Sequence, residues 1–167
     1  TAGAQRARIY TSAQGLANSH IHDIYQDSKG FIWISTENGL SKFDGIKFST
    51  LRHDRSRQNS IASNIVRAVF EDSRGVMWVG TSAGLQTFNT QYNRFRKINL
   101  EDWSVPESDQ HIISMIEFRD NEKGKIIATS SGHGIYILDA ESHKIDHDMQ
   151  DAVNRLLPSK FISGIFK

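Results

Sequence analysis

The stretch DSKGFIWISTENGLSKFD at residues 27–44 decides the fold, because it returns as DSRGVMWVGTSAGLQTFN at residues 72–89, 45 residues later. The two copies match in one fixed register, and seven of the identical pairs are the repeat residues that matter most for the fold. These pairs are Asp27 and Asp72, Gly30 and Gly75, Trp33 and Trp78, Thr36 and Thr81, Gly39 and Gly84, Leu40 and Leu85, and Phe43 and Phe88. Such a match indicates an internal repeat rather than a chance likeness.

A third, weaker copy follows in KGKIIATSSGHGIYILD, residues 123–139. Gly124 and Gly134 occupy the two glycine positions of the repeat, whereas Ile127 replaces the tryptophan of the first two copies. One residue is inserted before Gly134. We therefore expect a third structural unit that is more divergent than the first two.

Each unit is predicted to be β-sheet, because FIWIST and VMWVGT are short and rich in β-branched and aromatic residues. A preceding strand, HIHDIYQD or NIVRAVFED, joins this one through the turn D-S-x-G, where Gly30 and Gly75 are expected to supply a positive φ. GLSKFD and GLQTFN are predicted third strands, and IKFSTL and RFRKINL are predicted fourth strands.

Four antiparallel strands in a period of about 45 residues are typical of a β-propeller blade. The repeat has a physical reason, since no blade can shield its own tryptophan from water. Burial of such an aromatic side chain against the next blade contributes on the order of 2–3 kcal/mol.

The fold class predicted here is all-β, with about three blades of four strands plus flanking strands, which is a partial propeller. Residues 1–18 are expected to hold an extra strand at 7–12 that closes a ring. Blades one, two and three, each with its connecting loop, are assigned to residues 19–63, 64–111 and 112–159. Residues 160–167 are read as the first strand of a truncated fourth blade. Because propellers close with about four to eight blades, the chain is expected either to continue or to pair with a second copy.

Composition excludes several function classes. The net charge is +1 at pH 7, so no strong field draws the chain to nucleic acid or to an anionic membrane. The absence of cysteine excludes disulfides and cysteine-ligated metal sites. No apolar run reaches the length of a membrane span.

The segments QGLANSHIHDIYQDSKGFIWISTENGLSKFDGIKF and NSIASNIVRAVFEDSRGVMWVGTSAGLQTFN resemble the two-component regulator propeller repeat. The elements that carry the resemblance are D-S-x-G-x-x-W, T-x-x-G-L and F-D, which recur in register. The likeness is close over residues 14–89 and continues loosely to Asp139.

The resemblance implies a periplasmic sensor region of a hybrid two-component system, of the type found in Bacteroides and its relatives. It implies a saccharide ligand derived from polysaccharides, signalling to transcription, and a full-length protein that is a sensor histidine kinase. It implies no enzyme activity for this segment and no cofactor. Partners would be the remaining blades or a second copy of the chain in a homo-oligomer, without nucleic acid or membrane contact.

Residues that recur in each blade are read as structural, because an active site needs a residue once. Asp27 and Asp72 are expected to cap their hairpins through their own backbone. Thr36 and Thr81 are expected to form backbone or cross-strand hydrogen bonds. Recognition is expected instead in the loops where the repeats differ.

The candidate ligand-binding residues lie in such loops: Trp103, Arg55, Arg57, Glu37 and His133. Trp103 in a polar loop suits stacking on a sugar ring, and it equally suits packing on its own blade. Arg55 and Arg57 could bind the carboxylate or sulfate groups of an acidic glycan, and the alternative is that both side chains are simply solvated on the loop.

No catalytic and no metal-ligating residue is predicted. His20 and His22 share one face of a strand, but the sequence fixes no third ligand beside them. Two other function classes stay open, namely a propeller-scaffold polysaccharide lyase or glycosidase, and a non-catalytic protein-interaction propeller. The enzyme would require a unique pair of acid and base residues.

Overall fold

The computed structural model describes residues 8–100, 111–120, 123–159 and 162–165. These residues form three separate antiparallel sheets, each a meander of consecutive strands. The first strands of successive sheets lie next to each other, β1 (Ile21–Gln26) beside β5 (Val66–Glu71) and β5 beside β9 (Ile112–Asp120). This arrangement confirms the predicted all-β, propeller-like fold.

The first two blades have four strands each, as the repeat predicts. The strands of blade one are β1 Ile21–Gln26, β2 Ile32–Thr36, β3 Gly39–Phe43 and β4 Phe48–Leu51. Those of blade two are β5 Val66–Glu71, β6 Met77–Thr81, β7 Gly84–Asn89 and β8 Arg94–Lys97.

The third blade differs from the prediction. It contains only three strands among the described residues: β9 Ile112–Asp120, β10 Lys123–Ser130 and β11 Gly134–Asp139. In place of a fourth strand, a single bridge joins Leu138 to Ile145, and helix α1 follows at His147–Leu156. Asp146 is the N-cap of the helix, and its side chain accepts a hydrogen bond from Met149 N, which favours a helix start over a strand.

The extra strand predicted at residues 7–12 is also absent from the part of this segment that the structure describes. Residues 8–11 join no sheet, and Ser12–Gln14 forms one turn of 3-10 helix capped by Thr11. Tyr10 packs instead on Phe43 and Phe48, with ring centroids 5.0 and 5.5 Å apart. Residues 162–165 of the predicted fourth blade likewise form no strand.

Each tryptophan of the repeat is buried by the blade that follows its own. Trp33 lies in a core cluster with residues of blade two, and its ring meets that of Phe88 edge-on at 5.7 Å. Trp78 lies in a cluster with residues of blade three, and its ring meets His143 edge-on at 4.9 Å. Both indoles are at most 1% exposed.

The aspartate of each D-S-x-G turn ties the hairpin to that tryptophan. In blade one, Asp27 accepts hydrogen bonds from Lys29 N at 3.0 Å, Phe31 N at 2.9 Å and Trp33 Nε1 at 2.8 Å. Asp72 accepts the equivalent bonds in blade two. The turn glycines have φ of 86° and 79°, which their side-chain-free backbone adopts without strain.

The serine of the same turn reaches across to the next blade. Ser28 donates its backbone N–H and its hydroxyl to Glu71, at 2.6 and 3.0 Å. Ser73 does the same to Glu117, at 2.9 and 2.7 Å. A carboxylate of the following first strand therefore links each of these turns to the next blade.

Candidate functional site

One end of every sheet carries the turn after its second strand, and the same backbone contact holds this turn in all three blades. Glu37 N donates to His20 O at 3.2 Å in blade one. The equivalent bonds run from Ser82 N to Ile65 O and from Ser131 N to His111 O. Side chains of these turns are therefore held beside the starts of the first strands.

A groove of about 710 Å³ runs along these first strands, β1, β5 and β9. Residues 163–165 also border the groove, and Ser114 Oγ donates to Ile165 O at 3.4 Å. Its main polar and aromatic side chains are those of His22, Asp23, Tyr25, Arg67, Glu71 and Glu117. Glu71 and Glu117 are the carboxylates that link each D-S-x-G turn to the next blade.

The other groups of the groove are also fixed. Asp23 Oδ2 accepts from Val69 N at 3.0 Å, across the junction between blades one and two. The hydroxyl of Tyr25 donates to Glu71 O at 3.2 Å, and burial raises the pKa of Tyr25. The phenol therefore stays protonated at neutral pH and keeps its role as a donor.

At the turn end of the groove, four polar side chains meet in what we term the His22 cluster: His20, His22, Glu37 and Arg67. His22 Nε2 lies 2.7 Å from Glu37 Oε1. Arg67 Nη1 from blade two lies 3.1 Å from the same histidine nitrogen and 3.5 Å from Glu37 Oε1. The ligand atoms of His20, His22 and Glu37 lie within 4.8 Å of one another.

The five residues predicted as ligand contacts are not all brought together. Glu37 belongs to the His22 cluster, and the half-buried His133 lies at the same end of blade three, in the turn before β11. Arg55 and Arg57 are exposed on the loop between the first two blades, and Arg57 borders a separate cleft of about 420 Å³ near β4 and β8. Trp103 lies outside the described residues.

Sequence reasoning did not single out Arg67 or the pairing of His22 with Glu37. The repeat contained a usable signal, because His22 and Arg67 occupy the same place in their blades, two residues after His20 and Ile65. Within the described residues, no helix is long and apolar enough to cross a membrane.

Comparison with known families confirms the resemblance of the repeat. The family model of the two-component regulator propeller matches residues 15–38 and 60–83 of this chain. Histidine kinase P4 of Formosa agariphila is 38% identical over 55 residues, which are 33% of this chain and 4% of that protein. The chain thus spans a small fraction of that relative.

Solved structures give the same result for the fold. The extracellular domain assigned to the hybrid two-component system BT3049 of Bacteroides thetaiotaomicron is 29% identical and superimposes with a TM-score of 0.77, over 92% of this chain and 21% of that one. The extracellular domain assigned to the one-component system BT4673 of the same organism is 19% identical, with a TM-score of 0.70 over 94% and 23% of the two chains.

Proposed function

Because the chain carries two-component regulator propeller repeats, we propose that it belongs to the periplasmic, ligand-sensing region of a hybrid two-component system. Its ligand is a saccharide released from a polysaccharide, and the bound state is signalled to transcription through a histidine kinase in the full-length protein. The similarity over 92% of the chain to the extracellular domain assigned to a hybrid two-component system supports this assignment. The ligand and the signal are our inference.

The groove along β1, β5 and β9 is the observation that carries the proposal. Its volume of about 710 Å³ falls in the range of small-molecule sites. It crosses all three blades, yet its side chains differ from blade to blade, as recognition requires. Fixed strands and hydrogen-bonded side chains give it a preformed shape, which lowers the entropic cost of binding.

The charges of the groove favour a neutral saccharide over an acidic one. Three carboxylates, those of Asp23, Glu71 and Glu117, line it together with the single arginine Arg67. Carboxylates accept hydrogen bonds from sugar hydroxyls but repel uronate and sulfate groups. An acidic glycan would instead require the exposed Arg55 and Arg57, which border no part of this groove.

A hydrolase or lyase is less well supported by the same groups. Glu71 and Glu117 recur at matched positions and both hold a serine of the preceding blade. Asp23 is bonded to the backbone of Val69. These carboxylates therefore have structural roles, and none of them is left as a unique general acid.

Calorimetric titration with two sets of oligosaccharides tests the proposal. The first set is neutral, from xylan, mannan, galactan and glucan, and the second is acidic, from pectin and sulfated polysaccharides. We expect binding from the neutral set and about tenfold weaker binding in Arg67→Ala, since a hydrogen bond to a charged group contributes about 1.5–3 kcal/mol. Product analysis by chromatography should show intact saccharide.

The matched control is the double variant Arg55→Ala/Arg57→Ala, which should bind neutral saccharides as the wild type does. If this variant loses binding and Arg67→Ala keeps it, the site lies in the loop and the ligand is acidic. If neither set binds, the groove is not a saccharide site. If the saccharide is cleaved, the enzyme class replaces the sensor.

A further inference from the structure

The His22 cluster contains the donor atoms of a metal site that the sequence alone did not complete. We propose that His20, His22 and Glu37 bind a divalent transition-metal ion such as Zn²⁺ at the turn end of the groove. Their ligand atoms all lie within 4.8 Å of one another. This proposal does not rest on the saccharide ligand, although His22 and Arg67 also line the groove.

The fold places the three side chains together by two constraints. His20 and His22 flank Ile21 at the start of β1, where a β-bulge leaves His22 out of the strand pairing, and their ring centroids lie 5.3 Å apart. The backbone bond from Glu37 N to His20 O, at 3.2 Å, anchors the turn that carries the carboxylate. The site is therefore formed by the blade itself rather than by chance rotamers of long side chains.

The donor set suits zinc chemistry. Two imidazoles and one carboxylate are a known ligand combination for Zn²⁺, and they leave the fourth tetrahedral position open. Zinc–ligand distances of about 2.0–2.2 Å place neighbouring ligand atoms roughly 3.3 Å apart. His22 Nε2 and Glu37 Oε1 are now 2.7 Å apart, so a metal would replace the hydrogen between them with a small outward shift.

This combination is found in one blade only among the described residues. The matched positions hold Ile65, Arg67 and Ser82 in blade two, and His111, Ile113 and Ser131 in blade three. A residue set needed for blade architecture would recur, as Asp27 and Asp72 do. The restriction to blade one therefore favours a specific role at this point of the groove.

Arg67 is the natural competitor of a metal in this site. Its Nη1 lies 3.1 Å from His22 Nε2 and 3.5 Å from Glu37 Oε1, so the positive charge of the guanidinium already lies beside the two atoms that a metal would bind. A guanidinium is always charged and only donates hydrogen bonds. Because the Arg67 side chain is 34% exposed, it has a path toward solvent when a metal enters. Metal binding would thus exchange a contact between blades for ligation within blade one.

Titration of the full chain with Zn²⁺ in a non-chelating buffer is the first test, with Co²⁺ as a spectroscopic probe. Removal of a ligand in His22→Ala, His20→Ala or Glu37→Gln should weaken Zn²⁺ binding at least about tenfold. Arg67→Ala should strengthen it several-fold, because the competing cation is gone. His147→Ala, which removes an exposed imidazole outside the cluster, should leave the affinity unchanged.

The Co²⁺ absorption spectrum separates the site from loose surface binding, since its visible bands depend on the ligands and geometry. Bands that appear in Arg67→Ala and vanish in Arg67→Ala/His22→Ala support the proposal, provided that circular dichroism shows both variants folded. The proposal is overturned if Arg67→Ala binds no Zn²⁺. It is equally overturned if His20→Ala and Glu37→Gln bind Zn²⁺ as tightly as the wild type.

Discussion

At the scale of single residues, the pair of a buried aspartate and a buried tryptophan organises each of the first two blades. Asp72 is 4% exposed and accepts hydrogen bonds from two backbone amides and from the indole of Trp78. Arg74 Nη2, from the same turn, adds an ion pair to this carboxylate at 3.3 Å. The motif recurs because the aspartate side chain has two tasks: it closes the hairpin, and it holds the buried tryptophan in position.

Replacement of Asp72 by alanine should destabilise the chain by about 3 kcal/mol, because the buried Trp78 indole and two backbone amides lose their acceptor and Arg74 loses its ion-pair partner. Chemical denaturation followed by tryptophan fluorescence measures this change. Asp44→Ala is the matched control, since the exposed Asp44 accepts only from Ile46 N and Lys47 N in a surface turn. It should cost less than about 1 kcal/mol. Equal costs for the two variants would contradict the assigned role.

His143 gives the junction of blades two and three a dependence on pH. Burial against Trp78, and then the charges of Arg74 and Arg96, hold the pKa of His143 below its usual value, although Asp72 and Asp139 act in the opposite sense. The unfolded chain then binds more protons below about pH 6.5, so the free energy of unfolding falls as the pH decreases through that value.

The variant His143→Asn should reduce this part of the pH dependence between about pH 5 and 7. Asparagine tolerates the left-handed backbone of this position, where φ is 60°, so the loop should stay intact. Denaturation series at several pH values measure the slope. A slope identical to that of the wild type would show that His143 does not titrate differently in the folded state.

The sequence predicts residue roles well when they are local and poorly when they cross a blade junction. Asp27 and Trp33 are six residues apart, and their recurrence marks them as a structural pair. Arg67 and His22 are 45 residues apart and hold matched positions of the repeat, but only the packing of blade two on blade one shows that their side chains meet. The site depends on such contacts, so its composition required the structure.

At the scale of elements, helix α1 protects the outer edge of the third blade. Ile135 N donates to Asn154 Oδ1 and Asn154 Nδ2 donates to Ile135 O, both at 2.9 Å. Ile137 N donates to Gln150 Oε1 at 3.2 Å, and Ile137 O accepts from Asp146 N at 2.8 Å. Side-chain amides of the helix thus replace the backbone of a fourth strand and close an edge that would otherwise be open to pairing.

Asn154→Ala should destabilise the chain by about 1–2 kcal/mol, because both backbone groups of Ile135 lose their partners. Hydrogen exchange should show faster exchange at the Ile135 amide than in the wild type. Asp151→Ala changes an exposed residue of the same helix and should leave that amide protected. Faster exchange in both variants would indicate general fraying of the helix rather than loss of the edge contact.

Strands were predictable where hydrophobic alternation and turn glycines agree, which holds for all eight strands of the first two blades. The repeat misled in blade three, where a fourth strand was expected by analogy. Local signals pointed to a helix: Asp146 as N-cap, Asp148 in the first turn, Arg155 in the last turn and Pro158 just beyond it. In this segment the local signals, rather than the analogy with blades one and two, agree with the structure.

At the scale of the whole molecule, one face of blade one is uncovered, as a comparison of matched residues in blades one and two shows. Val69 is 2% exposed because blade one packs on it. Ile24 holds the same place in blade one and is 61% exposed. A neighbouring blade, from this chain or from another copy, is the cover that the geometry of a ring provides.

We expect the chain to self-associate through this face, so light scattering should give a mass that rises to that of a dimer with concentration. Ile24→Lys should shift the chain toward a monomer, because a charge then lies in the contact. Ile46→Lys is the matched control, as Ile46 is 89% exposed in the turn before β4. A wild-type chain that stays monomeric at all concentrations would contradict this expectation.

The burial of each tryptophan by the following blade has a consequence during protein synthesis. A ribosome adds about 5–20 residues per second, and the repeat period is 45 residues. Trp33 therefore remains exposed for several seconds after its own blade has emerged, until blade two covers it. Each blade is covered by the blade that is synthesised after it, so the nascent chain exposes one hydrophobic blade face at a time. Chaperones that bind exposed aromatic residues would meet this protein at one moving position rather than along its whole length.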